Sequence, residues 1–353
     1  MVTLGVDCHK KSHTVVAIDE HGGVLRTRTV KATSAGHLEA LRFAEQWKER
    51  CWAVENVRSL SRRLEAELLQ AGEGVLHVSP HLMAGQRRSG RERGKSDAID
   101  ALNVARVLLR EGGDLPIARL DGPSREVKLL VDHRDDLVQE RTQKINRLRW
   151  HLHELEPEFE VRARSLSGPR ALKRVSEMLQ HHQGLVARIG SELVEDIGRL
   201  NERVKGLEKE LEGLVKALVP KLHELEGCGA LTAATLVAET ADVTRFRSRA
   251  AFAMFNGTAP IPASSGNTTR VRLNRGGNRR INAALHIIGL TQIRQGGPGL
   301  EYFQHRLREH DTEVEARRAL RRKLSDVVYA RLLQDHAAHV TPGGGGGTSK
   351  LAA

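Results

Sequence analysis

Ten apolar residues, Val186, Ile189, Leu193, Ile197, Leu200, Val204, Leu207, Leu211, Leu214 and Leu218, follow one another at steps of three or four. That spacing is a coiled-coil seam, with Glu, Lys, Arg and Asn filling the positions between. A shorter stripe, Ile145, Leu148, Leu152 and Leu155, precedes it, and Gly168-Pro169 breaks the chain between the two helices. Gly190, Gly198, Gly206 and Gly213 each weaken the long helix by about 1 kcal/mol relative to alanine, so its order must come from packing. Two partners suit the seam: a helix of the same chain folded back as a hairpin, or a helix of a second subunit. A strict two-in-seven stripe is narrower than a globular helix needs, which favours the second.

This helical region, 116–220, separates two stretches of different texture. In 1–115 the pattern alternates. LGVDCHKKSHTVVAID reads as two strands around a polar turn, VLRTRTV as a third, and His37 to Lys48 as a helix. CWAVEN is then a short strand, Leu60 to Gln70 a helix, VLHVS a fifth strand and Asp97 to Arg110 a helix. The order β-β-β-α-β-α-β-α predicts a mixed sheet with helices on its faces. The stretch 221–335 is mainly helical and begins ELEGCGALTAATLVAET. Its Gly-x-Gly turn reads either as a helix-hairpin-helix presenting backbone N–H groups to phosphate, or as a helix start with glycine for close packing. The segment 336–353, with its run of glycines, is expected to be disordered. SKL within it is not the last tripeptide and is no peroxisomal address.

Charge narrows the function. With 56 Lys+Arg against 44 Asp+Glu the chain carries +12, which favours a polyanionic partner, nucleic acid before a membrane surface. Aromatics are 3%, so base stacking is not the main binding device. No apolar run is long enough to span a bilayer, and the N-terminus has no secretory pattern. The three cysteines, Cys8, Cys51 and Cys228, are odd in number and scattered, against both a disulfide framework and a cysteine zinc site. His151 and His153, two apart on a helix, share no face and suggest no metal site.

Four carboxylates carry the chemistry. Asp7 ends the first strand and Glu55 the fourth; Asp97 and Asp100 lie three apart, on one helix face. If the strands are neighbours and the helix lies across their ends, the acids cluster. Mutually repelling carboxylates call for cations, and an all-oxygen set suits magnesium or manganese. Such ions assist attack at a phosphodiester. Taken singly, a strand-terminal Asp is more often a turn former, and Asp97 after Ser96 fits an ordinary first helical turn.

GVDCHK, AVEN and KSDAIDA together resemble the RuvC-like DEDD domain of the insertion-sequence family numbered one hundred and ten. GCGALTAATLVAETADVTRFRSRAAFAMFNGTAPIPASSGNTTRVRLNRGGNRRIN resembles the C-terminal transposase domain of that family. The resemblance spans nearly the whole chain except the glycine-rich tail. It implies an RNase H/RuvC-like N-terminal domain (1–115), a coiled-coil insertion (116–220) and a C-terminal domain with a catalytic serine (221–335). It implies a DNA transposase guided by a structured RNA of the element, acting as a homodimer or homotetramer in the bacterial cytoplasm, at the nucleoid. Position by position, the tetrad falls on Asp7, Glu55, Asp97 and Asp100, with Mg2+ or Mn2+ as cofactor. The serine before a glycine falls on Ser265, beside Ser264. That serine would form a covalent link to one DNA end, in a site assembled from two domains. From the residues alone SSGN is an ordinary loop.

Basic residues flank both sets. Arg270, Arg272, Arg275, Arg279 and Arg280 follow the serine and suit a phosphate with developing charge. Arg87, Arg88, Arg91, Arg93 and Lys95 lead into the third acid and read as a clamp for DNA or guide RNA, or else as a solvated loop. Two rival functions remain: a RuvC-like Holliday-junction nuclease with water as nucleophile, and a non-catalytic scaffold built on the coiled coil. A scaffold has no need of four repelling carboxylates.

Overall fold

Strand alternation decides which side chains of the N-terminal sheet meet which helices. In the computed structural model, β1 (Val2–Cys8) pairs antiparallel with β2 (Ser12–Ile18), and β2 with β3 (Val24–Lys31). On its other edge β1 runs parallel to β4 (Arg50–Glu55), which runs parallel to β5 (Val75–Val78). The sheet order is therefore β3-β2-β1-β4-β5. Residues 56–59, 80–81, 84, 87–95, 113–114, 121, 163–164, 264–270, 275, 310 and 340–353 lie outside the described residues. The order and types of these strands agree with the mixed sheet expected from the sequence.

One face of the sheet carries Leu4, Val6, Cys8, Val15, Ala17, Trp52 and Val54. They pack with Leu64 and Leu68 of α2 (Arg62–Gln70) and Ala40 and Ala44 of α1 (Ser34–Ala44). Thr33 caps α1 by accepting from the Gly36 N–H, so this helix starts and ends a few residues before the span the apolar pattern marks. The opposite face is covered by α3 (Asp97–Glu111): Ala101, Leu102 and Ala105 pack on Val16 and Ile18, and Val104, Val107 and Leu108 on Ala53 and Val78. Both faces of β1 and β2 are thus buried, which is why those strands read as nearly continuous apolar runs. β3 is an edge strand, exposed except at Val30.

The chain divides into two compact units, Met1–Gly122 with Thr244–Ser248, and Pro123–Val243 with the remainder from Arg249. In the second unit α4 (Pro123–Leu155), α5 (Pro169–Gln180) and α6 (Leu185–Leu218) are followed by the single turn α7 (Pro220–His223) and by α8 (Ala230–Thr240). Then come α9 (Arg249–Phe255), the short antiparallel pair β6 (Ile261–Pro262) and β7 (Val271–Arg272), α10 (Arg279–Gln295), α11 (Pro298–Arg308) and α12 (Glu313–His339). The seam of α6 meets α4 of the same chain. Leu200 and Val204 cluster with Leu137, and Ile197 with Leu148 and Leu152. Arg134–Glu208, Arg141–Asn201 and Lys144–Asp196 contacts of 2.7–2.9 Å flank it, their order showing that the two helices run antiparallel. Of the ten seam residues, Ile197, Leu200, Val204 and Leu211 are buried and the other six are partly buried. Gly227, at φ +80°, sits where a Cβ would come 3.0 Å from the Ile288 carbonyl oxygen; this turn of the Gly-x-Gly segment packs closely on α10. Among the described residues no helix is long and apolar enough to cross a membrane.

Candidate active site

Gly5 and Asp7 share the sheet face that α3 covers, because side chains alternate along β1 while Leu4, Val6 and Cys8 point the other way. Glu55 is on the same face, one residue beyond Val54, which pairs with Val6. Gly5 lets α3 settle directly on the strand. A Cβ there would lie 2.2 Å from the Ala101 carbonyl oxygen and 2.4 Å from the Ala105 nitrogen. A glycine inside a strand commonly marks such a close backbone approach. Ser96 caps α3, its hydroxyl accepting from the Ile99 N–H at 3.2 Å, which sets the helix start at Asp97. Asp97 is exposed, whereas Asp7, Glu55 and Asp100 are buried.

The four acids act on one another. Burial pushes the Asp7 carboxyl up to about 6; the His9 ring opposes that rise, and Asp100, Asp97 and Glu55 add to it. Asp7 Oδ2 is buried and accepts no hydrogen bond. His9 lies just past β1 with its Nδ1 3.4 Å from that oxygen and its Nε2 3.8 Å from Asp97 Oδ1. Asp7, His9 and Asp97 each offer a ligand atom within 4.8 Å of the others. A divalent cation fits this donor set. An orphaned, desolvated carboxylate oxygen among like charges is where a cation lowers the energy, and the oxygen-rich composition matches a hard ion. His9 and Gly5 are the two contributors that sequence reasoning missed. Their signals were a histidine two residues after a strand-terminal acid and a glycine mid-strand.

The other expected residues are placed as follows. Ser264, Ser265, Arg270, Arg275 and Arg87, Arg88, Arg91, Arg93 and Lys95 lie outside the described residues. Arg272 is on β7 and exposed; Arg279 and Arg280 open α10, whose N-terminus Asn278 caps through the Arg280 and Ile281 N–H groups. Arg279 is exposed. Arg280 is engaged within its own unit: its guanidinium contacts Asp132, Asp135 and Glu239. The Glu239 carboxylate also accepts from Lys128 and from Asn278 Nδ2 at 2.7 Å.

A mixed sheet bearing strand-end carboxylates beside a capped helix, followed by a helical unit, is matched by sequence to the transposases. Residues 4–157 match a family model described as a transposase, and residues 219–304 match the model of the transposase IS116/IS110/IS902 family. The chain belongs to that insertion-sequence transposase family. It is 23% identical to the uncharacterized protein of insertion element IS116 from Streptomyces clavuligerus, over 94% of each chain. It is 26% identical to the transposase for insertion sequence element IS1111A from Coxiella burnetii, over 75% of this chain and 70% of that one. Among solved structures, T. thermophilus RuvC in complex with a Holliday junction substrate aligns over 33% of this chain and 99% of that chain, at 15% identity and a TM-score of 0.27.

Proposed function

We propose that this transposase cuts and exchanges DNA strands by serine attack on a phosphodiester, with Asp7, Glu55, Asp97 and Asp100 holding Mg2+ or Mn2+ and Ser265 as nucleophile. The observation that supports it most is that Glu55 of the sheet and Asp97 and Asp100 of α3 all act on Asp7, whose Oδ2 is buried and orphaned. Strand order β3-β2-β1-β4-β5, with β2 antiparallel to its neighbours, supports reading the N-terminal unit as RNase H/RuvC-like. When bound, the divalent ions supply charge neutralisation at the scissile phosphate and an acidified hydroxyl.

The chain's own residues do the rest. Asp7 and Glu55 are fixed by the sheet, and Asp97 and Asp100 by a helix whose first turn Ser96 caps. The ligand set is thereby held with little freedom to relax. The Ser265 Oγ attacks phosphorus, the P–O bond to one DNA end breaks, that end leaves as a hydroxyl, and the serine proton passes to solvent. The phosphoserine link keeps the energy of the broken bond, so a second strand can be joined without a high-energy cofactor. Arg270, Arg272, Arg275 and Arg279 suit the phosphate oxygens, and the 87–95 run suits the backbone of DNA or of a structured guide RNA from the element. A dimer or tetramer acting at the nucleoid completes the reading.

The test is a denaturing gel of labelled DNA incubated with protein and magnesium. Wild type and Ser264→Ala should give protein-linked label that protease removes, and Ser265→Ala should give none. DNA cut without any adduct would establish water as the nucleophile and the junction-nuclease alternative.

A further inference from the structure

The second unit carries a pair of cationic helix faces, of which only Arg279 has been given a role above. On α10, Arg279, Asn282 and His286 are spaced three and four apart and share a face. On α12, Arg317, Arg318 and Arg321 form the matching face. The two faces join where the Arg321 guanidinium donates from Nη1 to Asn282 Oδ1 at 2.9 Å. Asn282 is itself fixed, its Nδ2 donating to the Asn256 carbonyl oxygen at 3.0 Å.

What distinguishes this place is missing counter-charge. Arg321 is half-buried, and its bond to Asn282 uses one of five N–H donors; no carboxylate lies within ion-pair distance of it among the described residues. Arg279, exposed, has no ion-pair partner among the described residues, and exposed Arg318 has none within 4 Å, although its charge reaches Glu315 one turn earlier. The acids nearby are already engaged: Glu313 pairs with Arg317, and Glu315 accepts from the Thr312 N–H and hydroxyl. The field is felt locally. Burial and then Arg318 depress the Arg321 guanidinium, and burial followed by Arg321 and Arg317 lowers the His286 ring below its ordinary range. A partly desolvated cation held without an anion, as Arg321 is, costs stability. Elsewhere in this unit the chain avoids that cost, as at Arg280 with its three carboxylates.

We propose that the joined faces of α10 and α12 bind the phosphodiester backbone of nucleic acid, with Arg318 and Arg321 as its main contacts and Arg279 extending the strip. The planar guanidinium fork matches two phosphate oxygens, and orienting Arg321 through Asn282 before binding reduces the ordering cost. Two like-charged arginines three apart suit adjacent phosphates better than a single small anion. The surface recognises no base, so it supplies affinity and register rather than sequence choice. The inference rests on the reading of the protein as a nucleic-acid enzyme and adds to it, through Arg318 and Arg321, contacts beyond the phosphate contacts assigned above.

The experiment is a fluorescence-anisotropy titration of a labelled duplex DNA and of a labelled RNA hairpin across a salt series, in EDTA so that no cleavage intervenes. The proteins are wild type, Arg318→Gln/Arg321→Gln, Arg318→Gln alone, and Lys209→Gln as a control for charge loss elsewhere. Arg318→Gln/Arg321→Gln should bind at least about tenfold more weakly, with its log–log salt slope on DNA shallower by about 2, from two lost contacts of about 0.9 each. Its melting temperature should hold or rise, because a half-buried cation with no carboxylate partner among the described residues is gone. Should that variant fail to fold, Arg318→Gln alone, at an exposed position, carries the test with a slope shallower by about 1. Loss on DNA alone, on RNA alone or on both supports the surface and identifies which backbone it takes. Unchanged affinity on both probes, or weaker binding with an unchanged slope, overturns it. If wild type forms the serine adduct yet these variants bind normally, the surface falls and the catalytic reading stands. A flattened slope with no adduct from wild type does the reverse.

Discussion

Replacing Gly5 with alanine tests whether the acidic cluster depends on backbone packing. The added Cβ would lie 2.2 Å from the Ala101 carbonyl oxygen, 2.4 Å from the Ala105 nitrogen and 2.7 Å from the Ala105 Cβ. These are mainly backbone atoms of α3, so no flexible side chain can turn aside. Restoring ordinary contact of about 3.4 Å needs α3 to retreat from β1 by about 1 Å. Overpacking of this kind costs about 1–3 kcal/mol, which a domain with the usual 5–15 kcal/mol of stability survives. Function should suffer more than stability. Asp97 and Asp100 travel with α3 while Asp7 and Glu55 stay on the sheet, and a misplacement of about 1 Å can cost on the order of a hundredfold in rate. The assay pairs urea unfolding with magnesium-dependent cleavage of labelled DNA. Gly198→Ala is the control: nothing lies within 4 Å of a Cβ there, so that variant should gain about 1 kcal/mol from helix propensity and keep its activity. Gly5→Ala protein that unfolds and cleaves like wild type would refute the close approach of α3 as the basis of the cluster.

Asp7→Asn should abolish cleavage yet stabilise the metal-free protein by up to about 3 kcal/mol at neutral pH, since it removes a buried charge whose carboxyl is raised from 3.8 to about 6. Melting curves in EDTA and in magnesium check this: the ion should raise the melting temperature of wild type and leave that of the variant nearly unmoved. Burial and then the neighbouring His37 hold the His13 ring down at about 4, against an ordinary 6.5. The unfolded chain therefore binds the proton first; stability from this group is intact above 6.5 and falls by up to about 3 kcal/mol as the pH drops to 4. Urea midpoints of wild type against His13→Gln should converge through that window, and parallel profiles would count against it. Arg280→Gln should cost about 1 kcal/mol, because its partly exposed acid partners lose one contact while Asp132 and Glu239 keep Lys128, read as a lowered urea midpoint with little change in salt-dependent DNA binding.

The sequence by itself determined the local pieces. Apolar runs bounded by polar turns mark β1, β2, β4 and β5, because strands buried on both faces need unbroken apolar character. The steps of three and four in 186–218 mark α6, because only a helix brings such positions to one side. Asp7 and Glu55 stand out as acids where strand propensity is otherwise high. What covers the α6 seam depends on a helix about sixty residues earlier in the chain, and periodicity carries no information about partners at that distance. The meeting of His9 with Asp97 needs β1 and α3 side by side, a contact across most of a hundred residues that Gly5 permits. Arg280 and Arg321 read alike in the sequence as basic helical residues. Only the tertiary structure gives one three carboxylates and the other none among the described residues, because counter-charge is supplied by whichever helices pack alongside.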